Sequence, residues 1–180
     1  MIQAIERVLI SEEDLKGKVK ELAKQISEDY ANKDLLMVSI LKGGFVFAAD
    51  LFRNLSIPAS VDFMAVSSYG ASSKSSGVVK ILKDLDRPVE GKDVLIAEDI
   101  LDSGVTLNYL KKLLIQRGVK SIKICTILNK PDRRKADIVA DYVGFDIPDE
   151  FVVGYGLDYD EKYRNLPFVG ILKREIYENE

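Results

Sequence analysis

Histidine and tryptophan are absent from the 180-residue sequence, and cysteine occurs once. Without histidine, the chain cannot build a Cys/His zinc site or a catalytic triad that uses imidazole. Proton transfer near neutral pH must therefore come from a carboxylate, a lysine, a tyrosine or the substrate itself. Any bound metal is expected to be a hard cation held by oxygen atoms, with magnesium the leading candidate. The lone Cys125 excludes an internal disulfide, indicates a cytoplasmic protein and is predicted to be buried and inert.

Long apolar runs and an excess of positive charge are also missing. The formal net charge is -3, which argues against general binding to nucleic acid or to a membrane surface. No apolar run approaches the roughly 18 residues of a transmembrane helix. Residues 1–7 lack the basic start and long apolar core of a signal peptide. With 47% hydrophobic and 31% charged residues, the sequence predicts a single domain, residues 1–180, with a substantial core.

Hydrophobic periodicity predicts strands that alternate with helices. Strands are predicted over 35–41, 61–66, 78–82, 94–97, 121–128, 142–145, 151–155 and 169–172, and helices are predicted after Ser11, after Gly44 and from Leu107. This alternation is typical of an α/β fold with a mainly parallel central sheet flanked by helices. Ligands bind such sheets at the carboxyl ends of the strands. Lys42, Asp99 and Lys130 each follow a predicted strand and are expected to face one crevice.

The stretch 94–107 contains a candidate binding site. Its apolar strand is followed by two carboxylates, Glu98 and Asp99, and then by the turn Asp-Ser-Gly-Val-Thr at 102–106. Unpaired amides and the dipole at the start of the next helix favour an anion, whereas the carboxylates favour sugar hydroxyls or a metal. The stretch therefore predicts a phosphorylated sugar as ligand. Two simpler interpretations stay open: the carboxylates form a solvated acidic loop, and Asp102 caps the helix.

The segment 67–77, Ser-Ser-Tyr-Gly-Ala-Ser-Ser-Lys-Ser-Ser-Gly, offers no side chains for a core. Loops of about a dozen residues are uncommon in compact domains and often act as lids. We expect a mobile functional loop here, with a solvated hairpin as the alternative.

Residues 94–107 resemble the phosphoribosyl-pyrophosphate (PRPP) motif of type I phosphoribosyltransferases: an apolar strand, Glu-Asp, two residues, then Asp-Thr/Ser-Gly-x-Thr. Almost the whole chain is similar to the short bacterial hypoxanthine-guanine phosphoribosyltransferases. The resemblance also rests on Leu-Lys-Gly-Gly at 41–44, Ser-Tyr-Gly at 68–70, Lys-Pro at 130–131 and Phe-Val-Val-Gly-Tyr-Gly-Leu-Asp-Tyr at 151–159. It implies a small hood subdomain made from the N-terminal segment and about residues 130–180.

The resemblance implies purine salvage: ribose 5-phosphate is transferred from PRPP to N9 of hypoxanthine or guanine, giving IMP or GMP and pyrophosphate, with Mg²⁺. Asp102, Ser103, Gly104, Val105 and Thr106 would bind the 5-phosphate. Glu98 and Asp99 would lie beside the ribose and its magnesium. Pyrophosphate would be bound by Lys42, Gly43 and Arg164, with a cis peptide at Lys42–Gly43. Ser68 and Tyr69 would begin the loop that closes over the reaction and excludes water.

The base would be recognised farther along the chain. The resemblance makes Asp102 the acid-base residue near N7 of the purine. Lys130 would donate a hydrogen bond to O6, because an ammonium group has donors only. Phe151 would stack on the base, main-chain groups of Val152 would contact its edge, and Asp158 would serve the purine site and a second magnesium. Taken alone, a solvated Lys130 and a core Phe151 are the commoner roles for these residue types.

The chain departs from some family members, the mammalian ones among them, at Val105, where they carry lysine. A direct charge contact near the phosphate is therefore missing, while the backbone amides remain. A homodimer or homotetramer is expected from the resemblance. Two other functions stay open. One is a regulatory relative that binds RNA or DNA, for which the sequence shows no basic surface or added domain. The other is a phosphoribosyltransferase for xanthine or uracil.

Overall fold

The structure, a computed structural model, describes residues 1–68 and 79–178. The α-helices and strands in this part of the chain are, in order, β1 (Ile5–Ile10), α1 (Glu12–Asp29), β2 (Leu35–Leu41), α2 (Phe45–Asn54), β3 (Ser60–Ser68), β4 (Val79–Lys83), β5 (Asp93–Leu101), α3 (Val105–Gln116), β6 (Ser121–Asn129), β7 (Tyr142–Asp146), β8 (Val152–Val153), β9 (Val169–Leu172) and α4 (Arg174–Tyr177). Short 3-10 turns cover Ile2–Ala4 and Pro131–Arg133. Tyr69 and most of the predicted loop 67–77 lie outside the described residues.

The larger sheet has six strands in the order β4-β3-β2-β5-β6-β7. Among the described strands of this sheet, β3 and β4 pair antiparallel, and the four other neighbouring pairs are parallel. The predicted α/β class with a mainly parallel central sheet is therefore confirmed. Strands β2, β5 and β6 are direct neighbours, so their carboxyl ends meet at one edge of the sheet.

Helices cover both faces of this sheet because alternate strand residues point to opposite sides. On one face, Leu15 of α1 and Phe47 of α2 belong to the same buried cluster as Met37 and Leu95. On the other face, the buried stripe of α3 (Leu107, Leu110 and Leu114) packs with Val38, Ile96 and Ile124. Ser11 caps α1 as predicted, since its hydroxyl accepts a hydrogen bond from the Asp14 amide at 3.1 Å.

A second, three-stranded antiparallel sheet has the order β1-β9-β8. It joins the first strand of the chain to the last, and its buried residues include Val153 and Leu172. We propose that this sheet is the body of the hood predicted from the N-terminal segment and about residues 130–180.

Several predicted strands have different lengths in the structure, and two of these differences, in β5 and β8, concern the candidate site. Strand β5 does not end at Ala97 but continues to Leu101. Its pairing with β2 ends at Ala97, which lies opposite Ser39. Its pairing with β6 continues to Leu101, which lies opposite Asn129, and this keeps β5 extended. The predicted strand 151–155 shrinks to Val152–Val153. The residues after it, Gly154, Tyr155 and Gly156, have φ values of 95°, 50° and 101°, which a strand cannot contain.

Within the described residues, no helix is both long enough and apolar enough to cross a membrane.

Candidate active site

Three neighbouring strands end at the candidate site. Lys42 follows β2, Asp99 lies near the end of β5, and Lys130 follows β6. The three residues are far apart in sequence and come from adjacent parallel strands. The sheet order therefore brings their segments to the same edge, whereas the expectation that the three side chains face one crevice stays a prediction.

The turn between β5 and α3 is shaped by Gly104. This residue has φ of 76°, and a β-carbon there would lie 3.0 Å from Cδ of Arg134 and 2.5 Å from Cγ2 of Ile138. Glycine is thus required both by the backbone conformation and by the packing. Helix α3 begins at Val105, two residues before the predicted start, with Gly104 as its N-cap. Asp102 does not cap this helix, so the capping alternative is wrong.

A cavity of about 210 Å³ lies over this turn. Its lining combines the carboxylate segment with the helix start: Glu98, Asp99, Ile100, Leu101, Asp102, Ser103, Gly104, Thr106 and Leu107. The first amides of a 12-residue helix have no partners within the helix, and the dipole makes this end attractive to an anion. The arrangement can hold a phosphate beside a pair of carboxylates.

Glu98 and Asp99 are part of strand β5, so the interpretation as a solvated acidic loop is wrong. Asp99 is buried, and its amide donates to Glu98 Oε1 at 3.2 Å. The amide of Ile100 donates to Asp99 Oδ1 at 2.9 Å. Burial, and next the negative charge of Asp99, raise the pKa of Glu98 well above its usual range. The pair presents hard oxygen donors whose mutual repulsion a cation would relieve.

Gly43 lies against the Asp99 carboxylate. A β-carbon on Gly43 would overlap Asp99 Oδ2, and a β-carbon on Gly156 would overlap the carbonyl oxygen of Gly43. The loop after β2 is therefore held between the β5 carboxylate and the turn after β8. A cis peptide bond joins Leu41 to Lys42. The predicted cis bond at Lys42–Gly43 is thus wrong by one residue.

The two cations predicted to bind pyrophosphate lie beside acidic side chains of the 158–164 segment. Lys42 Nζ is 2.7 Å from Glu161 Oε2, and both side chains are largely exposed. Arg164 pairs with Asp158 Oδ1 at 3.0 Å and donates to the carbonyl of Gly156 at 2.8 Å. Its buried Nε has no hydrogen-bond partner in the described part of the chain. Arg164 therefore keeps one donor available for an anion.

Asp158 is not brought together with Glu98 and Asp99. Its second carboxylate oxygen accepts a hydrogen bond from the Glu161 amide at 2.9 Å. Across residues 1–68 and 79–178, no group of three or more acidic or cysteine side chains is placed to hold a metal ion. A metal at Glu98 and Asp99 would need further ligands from the substrate or from water.

The residues predicted to recognise the base lie between β6 and β8. Lys130 is buried, and its Nζ donates to the Glu150 carbonyl at 2.7 Å. Burial lowers the pKa of Lys130, while the nearby charges of Asp102 and Asp149 partly counter that effect. The interpretation of Lys130 as a solvated surface lysine is therefore wrong.

Phe151 is 37% exposed, so it is not a core aromatic. Its ring stacks on Tyr177 with a centroid distance of 4.8 Å and meets the edge of Tyr159 at 5.6 Å. The adjoining Val152 is buried and pairs with Ile171 of β9. The stack leaves an aromatic surface that is partly open to solvent.

Sequence reasoning missed two residues that build this region. Arg134 donates to the carbonyls of Asp102, Leu101 and Ile138 at 3.0, 3.2 and 2.6 Å, and to Oδ1 of Asn129 at 2.6 Å. It thereby fixes the ends of β5 and β6 relative to each other. Tyr177 was missed because a short final helix gives no periodic signal.

Comparison with known proteins shows the family of the chain. A model of the phosphoribosyl transferase domain family matches residues 10–160. A hypoxanthine-guanine phosphoribosyltransferase of Bacillus subtilis is 57% identical over 175 residues, 97% of each chain. The corresponding Mycobacterium tuberculosis protein is 50% identical over 97% of this chain and 89% of its own. A crystal structure of a hypoxanthine phosphoribosyltransferase from Staphylococcus aureus, 53% identical, superposes with a TM-score of 0.97 over 99% of this chain and 97% of that one.

The strand–turn–helix at 94–107, the sheet order and these full-length similarities lead to the same assignment. The chain belongs to the phosphoribosyltransferase family and, within it, to the hypoxanthine-guanine phosphoribosyltransferases.

Proposed function

We propose that this protein transfers ribose 5-phosphate from PRPP to N9 of hypoxanthine and of guanine, giving IMP or GMP and pyrophosphate. The observation that carries the proposal is the buried Lys130 ammonium, which donates to the carbonyl of Glu150, the residue before the partly exposed Phe151. A cation with donors only suits the O6 acceptor of a 6-oxopurine and disfavours the amino group of adenine.

In the proposed reaction, N9 forms a bond to C1′ of the ribose while the bond from C1′ to pyrophosphate breaks. The proton on N7 of the purine passes to the Asp102 carboxylate, so that the base does not gain charge. The carboxylate also stabilises the positive charge that develops on the ribose. The amides and hydroxyls at 102–106 hold the 5-phosphate, which keeps C1′ in place.

Pyrophosphate is proposed to bind the loop after β2 together with Arg164. The peptide of Gly43 approaches the site closely because no side chain intervenes. Arg164 offers its buried Nε, and Lys42 offers an ammonium that is now paired with Glu161. Asp158 is proposed to contribute to the purine side and to a second magnesium. Ser68 and Tyr69 are proposed to begin the closing loop.

Glu98 and Asp99 fit Mg²⁺ by the chemistry of their donors. Magnesium is usually held by one or two carboxylates together with substrate phosphates and water, which matches a pair of acids beside an anion site. When bound, it would neutralise charge on the pyrophosphate group. The carboxylates themselves would accept hydrogen bonds from the ribose hydroxyls and so orient the sugar.

The proposal is tested with a panel of bases, each incubated with PRPP and Mg²⁺, and with nucleotide products separated by chromatography. Hypoxanthine and guanine are expected to give IMP and GMP, while adenine and uracil give no product. Nucleotide formation from uracil only, or from none of the bases tested, would contradict the proposal. Nucleotide formation from xanthine only would change the proposed base substrate but leave the proposed phosphoribosyl transfer unchanged. Omitting Mg²⁺ is expected to abolish product formation, and unchanged rates would remove the metal from the proposal.

We also infer a homodimer or homotetramer, which is supported by membership of the family rather than by any contact within the single chain. Light scattering coupled to gel filtration measures the mass directly. A mass of 20.1 kDa, that of one chain, would contradict it. The cytoplasmic location stays a prediction.

A further inference from the structure

Arg133 joins two of the side chains that are proposed to contact the base. It ends the short turn Pro131–Arg133, directly after Lys130. Its Nε is 2.9 Å from Asp102 Oδ1, and its Nη1 donates to Asp149 Oδ1 at 3.2 Å. The same Asp149 oxygen is 3.8 Å from Nζ of Lys130. One guanidinium therefore contacts Asp102 directly and Lys130 through a shared carboxylate.

The charges along this chain of contacts alternate in sign. Asp102, Arg133, Asp149 and Lys130 form an anion–cation–anion–cation row. The hydrogen bond that Arg133 donates to Asp149, and next the charge of Asp102, raise the pKa of Arg133, which stays protonated. The guanidinium is planar and rigid, so Nη1, which donates to Asp149, and Nε, which forms an ion pair with Asp102 Oδ1, keep a fixed separation, which an ammonium cannot provide.

Stability alone does not account for this bridge. The side chains of Arg133, Asp102 and Asp149 are 48%, 39% and 52% exposed. Ion pairs between side chains of such exposure contribute little to folding, and Asp102 Oδ1, which is itself buried, accepts no hydrogen bond within the described residues that would add to it. The neighbouring Arg134, which donates to three carbonyls, performs the structural task. The ion pair with Arg133 does, however, constrain the direction of the Asp102 carboxylate.

We propose that Arg133 is a positioning residue for base recognition, holding Asp102 and, through Asp149, Lys130 at the spacing of N7 and O6 of a 6-oxopurine. The inference rests on the proposed function. N7 and O6 lie on one edge of the base, so two groups that read them must keep a fixed separation. Arg133 itself contacts neither the base nor the sugar in this arrangement.

The test compares Arg133→Gln with Lys135→Gln. Both variants remove one positive charge from the same loop, and Lys135 is an exposed side chain. Arg133→Gln is expected to lower kcat/KM for hypoxanthine about 10- to 100-fold, since misplacement of a reacting group has effects of this size. KM for PRPP and the Tm are expected to match wild type. Lys135→Gln is expected to match wild type in all three measurements.

Two further variants separate orientation from charge. Arg133→Lys keeps the positive charge but lacks the planar guanidinium. Its log(kcat/KM) is expected to lie closer to that of Arg133→Gln than to that of wild type. Asp149→Asn is expected to lower kcat/KM, and its effect should not add to that of Arg133→Gln, because both break the same row of contacts. Guanidinium ion added to Arg133→Ala should partly restore kcat, whereas sodium chloride at equal ionic strength should not.

Several outcomes would overturn the inference. The inference is contradicted if Arg133→Gln behaves like Lys135→Gln, if it loses activity in proportion to a lower Tm, or if it raises KM for PRPP as much as KM for hypoxanthine. Full activity in Arg133→Lys would reduce the role to charge and also contradict it. A wild-type protein without turnover on any base would contradict the proposed function and this inference together. An active wild type with an unaffected Arg133→Gln would contradict this inference alone.

Discussion

Gly43 and Asp99, 56 positions apart, are packed so closely that a β-carbon on the glycine would overlap the carboxylate. The loop after β2 and the buried carboxylate of β5 therefore form one unit, although they come from different strands. On its other side, the carbonyl oxygen of Gly43 lies against Gly156. Any side chain at Gly43 must displace either the carboxylate or the loop.

Gly43→Ala is therefore expected to lower kcat/KM for PRPP by at least about 100-fold, because a shift of this loop moves groups proposed to bind pyrophosphate and ribose. Steady-state kinetics with varied PRPP measures the effect. Gly17→Ala is the matched control: nothing lies within 4 Å of a β-carbon there, in the middle of α1. This control should keep full activity and raise the Tm by a few degrees, since alanine favours a helix by about 0.5–1 kcal/mol. Near-normal kinetics in Gly43→Ala would show that the loop adapts freely.

Asp102→Asn tests the proposed acid-base role. The amide keeps the size of the side chain but cannot take up the purine proton, so kcat is expected to fall by about 10²–10⁴-fold. Binding of PRPP should be largely kept, because the amides at 102–106 remain. Isothermal titration with PRPP and Mg²⁺, beside kcat with hypoxanthine, separates the two effects. A kcat close to wild type would remove Asp102 from the chemistry.

Tyr177→Ala removes the ring that stacks on Phe151. An aromatic pair contributes about 0.5–1.5 kcal/mol beyond its buried area, which corresponds to about a 2- to 13-fold change in binding. We therefore expect KM for hypoxanthine to rise within this range, while KM for PRPP stays the same. Tyr177→Phe keeps the stack and should resemble wild type. An equal rise of KM for hypoxanthine in both variants would point to the hydroxyl rather than the ring.

The sequence predicted the central strands well because burial decides them. The apolar run 35–41 appears as β2 with the predicted bounds, and 121–128 is extended by one residue. The length of β5 was not predictable from its own residues, since it depends on β6 continuing beside Glu98 and Asp99. A strand whose partner lies 28 positions away receives its boundary from that partner.

The sequence predicted those site residues whose types and spacing form a recognisable motif. It missed residues whose role depends on the direction in which the side chain points. Arg133 and Arg134 are adjacent and of the same type, so no sequence pattern separates them. In the structure, Arg134 turns inward to three carbonyls, whereas Arg133 turns toward Asp102 and Asp149. Contacts between backbones, such as that of Gly43 with Gly156, leave no residue pattern either.

Arg134→Met separates the two arginines by stability. Methionine fills similar space but leaves three carbonyls and the Asn129 amide oxygen without their donor. Loss of hydrogen bonds from a charged group costs about 1.5–3 kcal/mol each in favourable cases, so we expect a total loss of at least about 2 kcal/mol. For a chain of this size, the Tm should fall by roughly 4–8 °C. Lys135→Gln is the control for charge, and a Tm equal to that control would contradict the structural role.

The pH dependence of base binding tests the state of Lys130. Because burial lowers its pKa from the ordinary value of 10.5, its ammonium loses the proton at a lower pH than an exposed lysine does. The neutral amine no longer offers the charged donor to O6. We therefore expect kcat/KM for hypoxanthine to fall as pH rises through this lowered pKa, while the Kd for PRPP stays level. Lys130→Gln cannot titrate, so it should have a lower kcat/KM without that fall. The same basic limb in Lys130→Gln as in wild type would assign the titration to another group, such as the base itself.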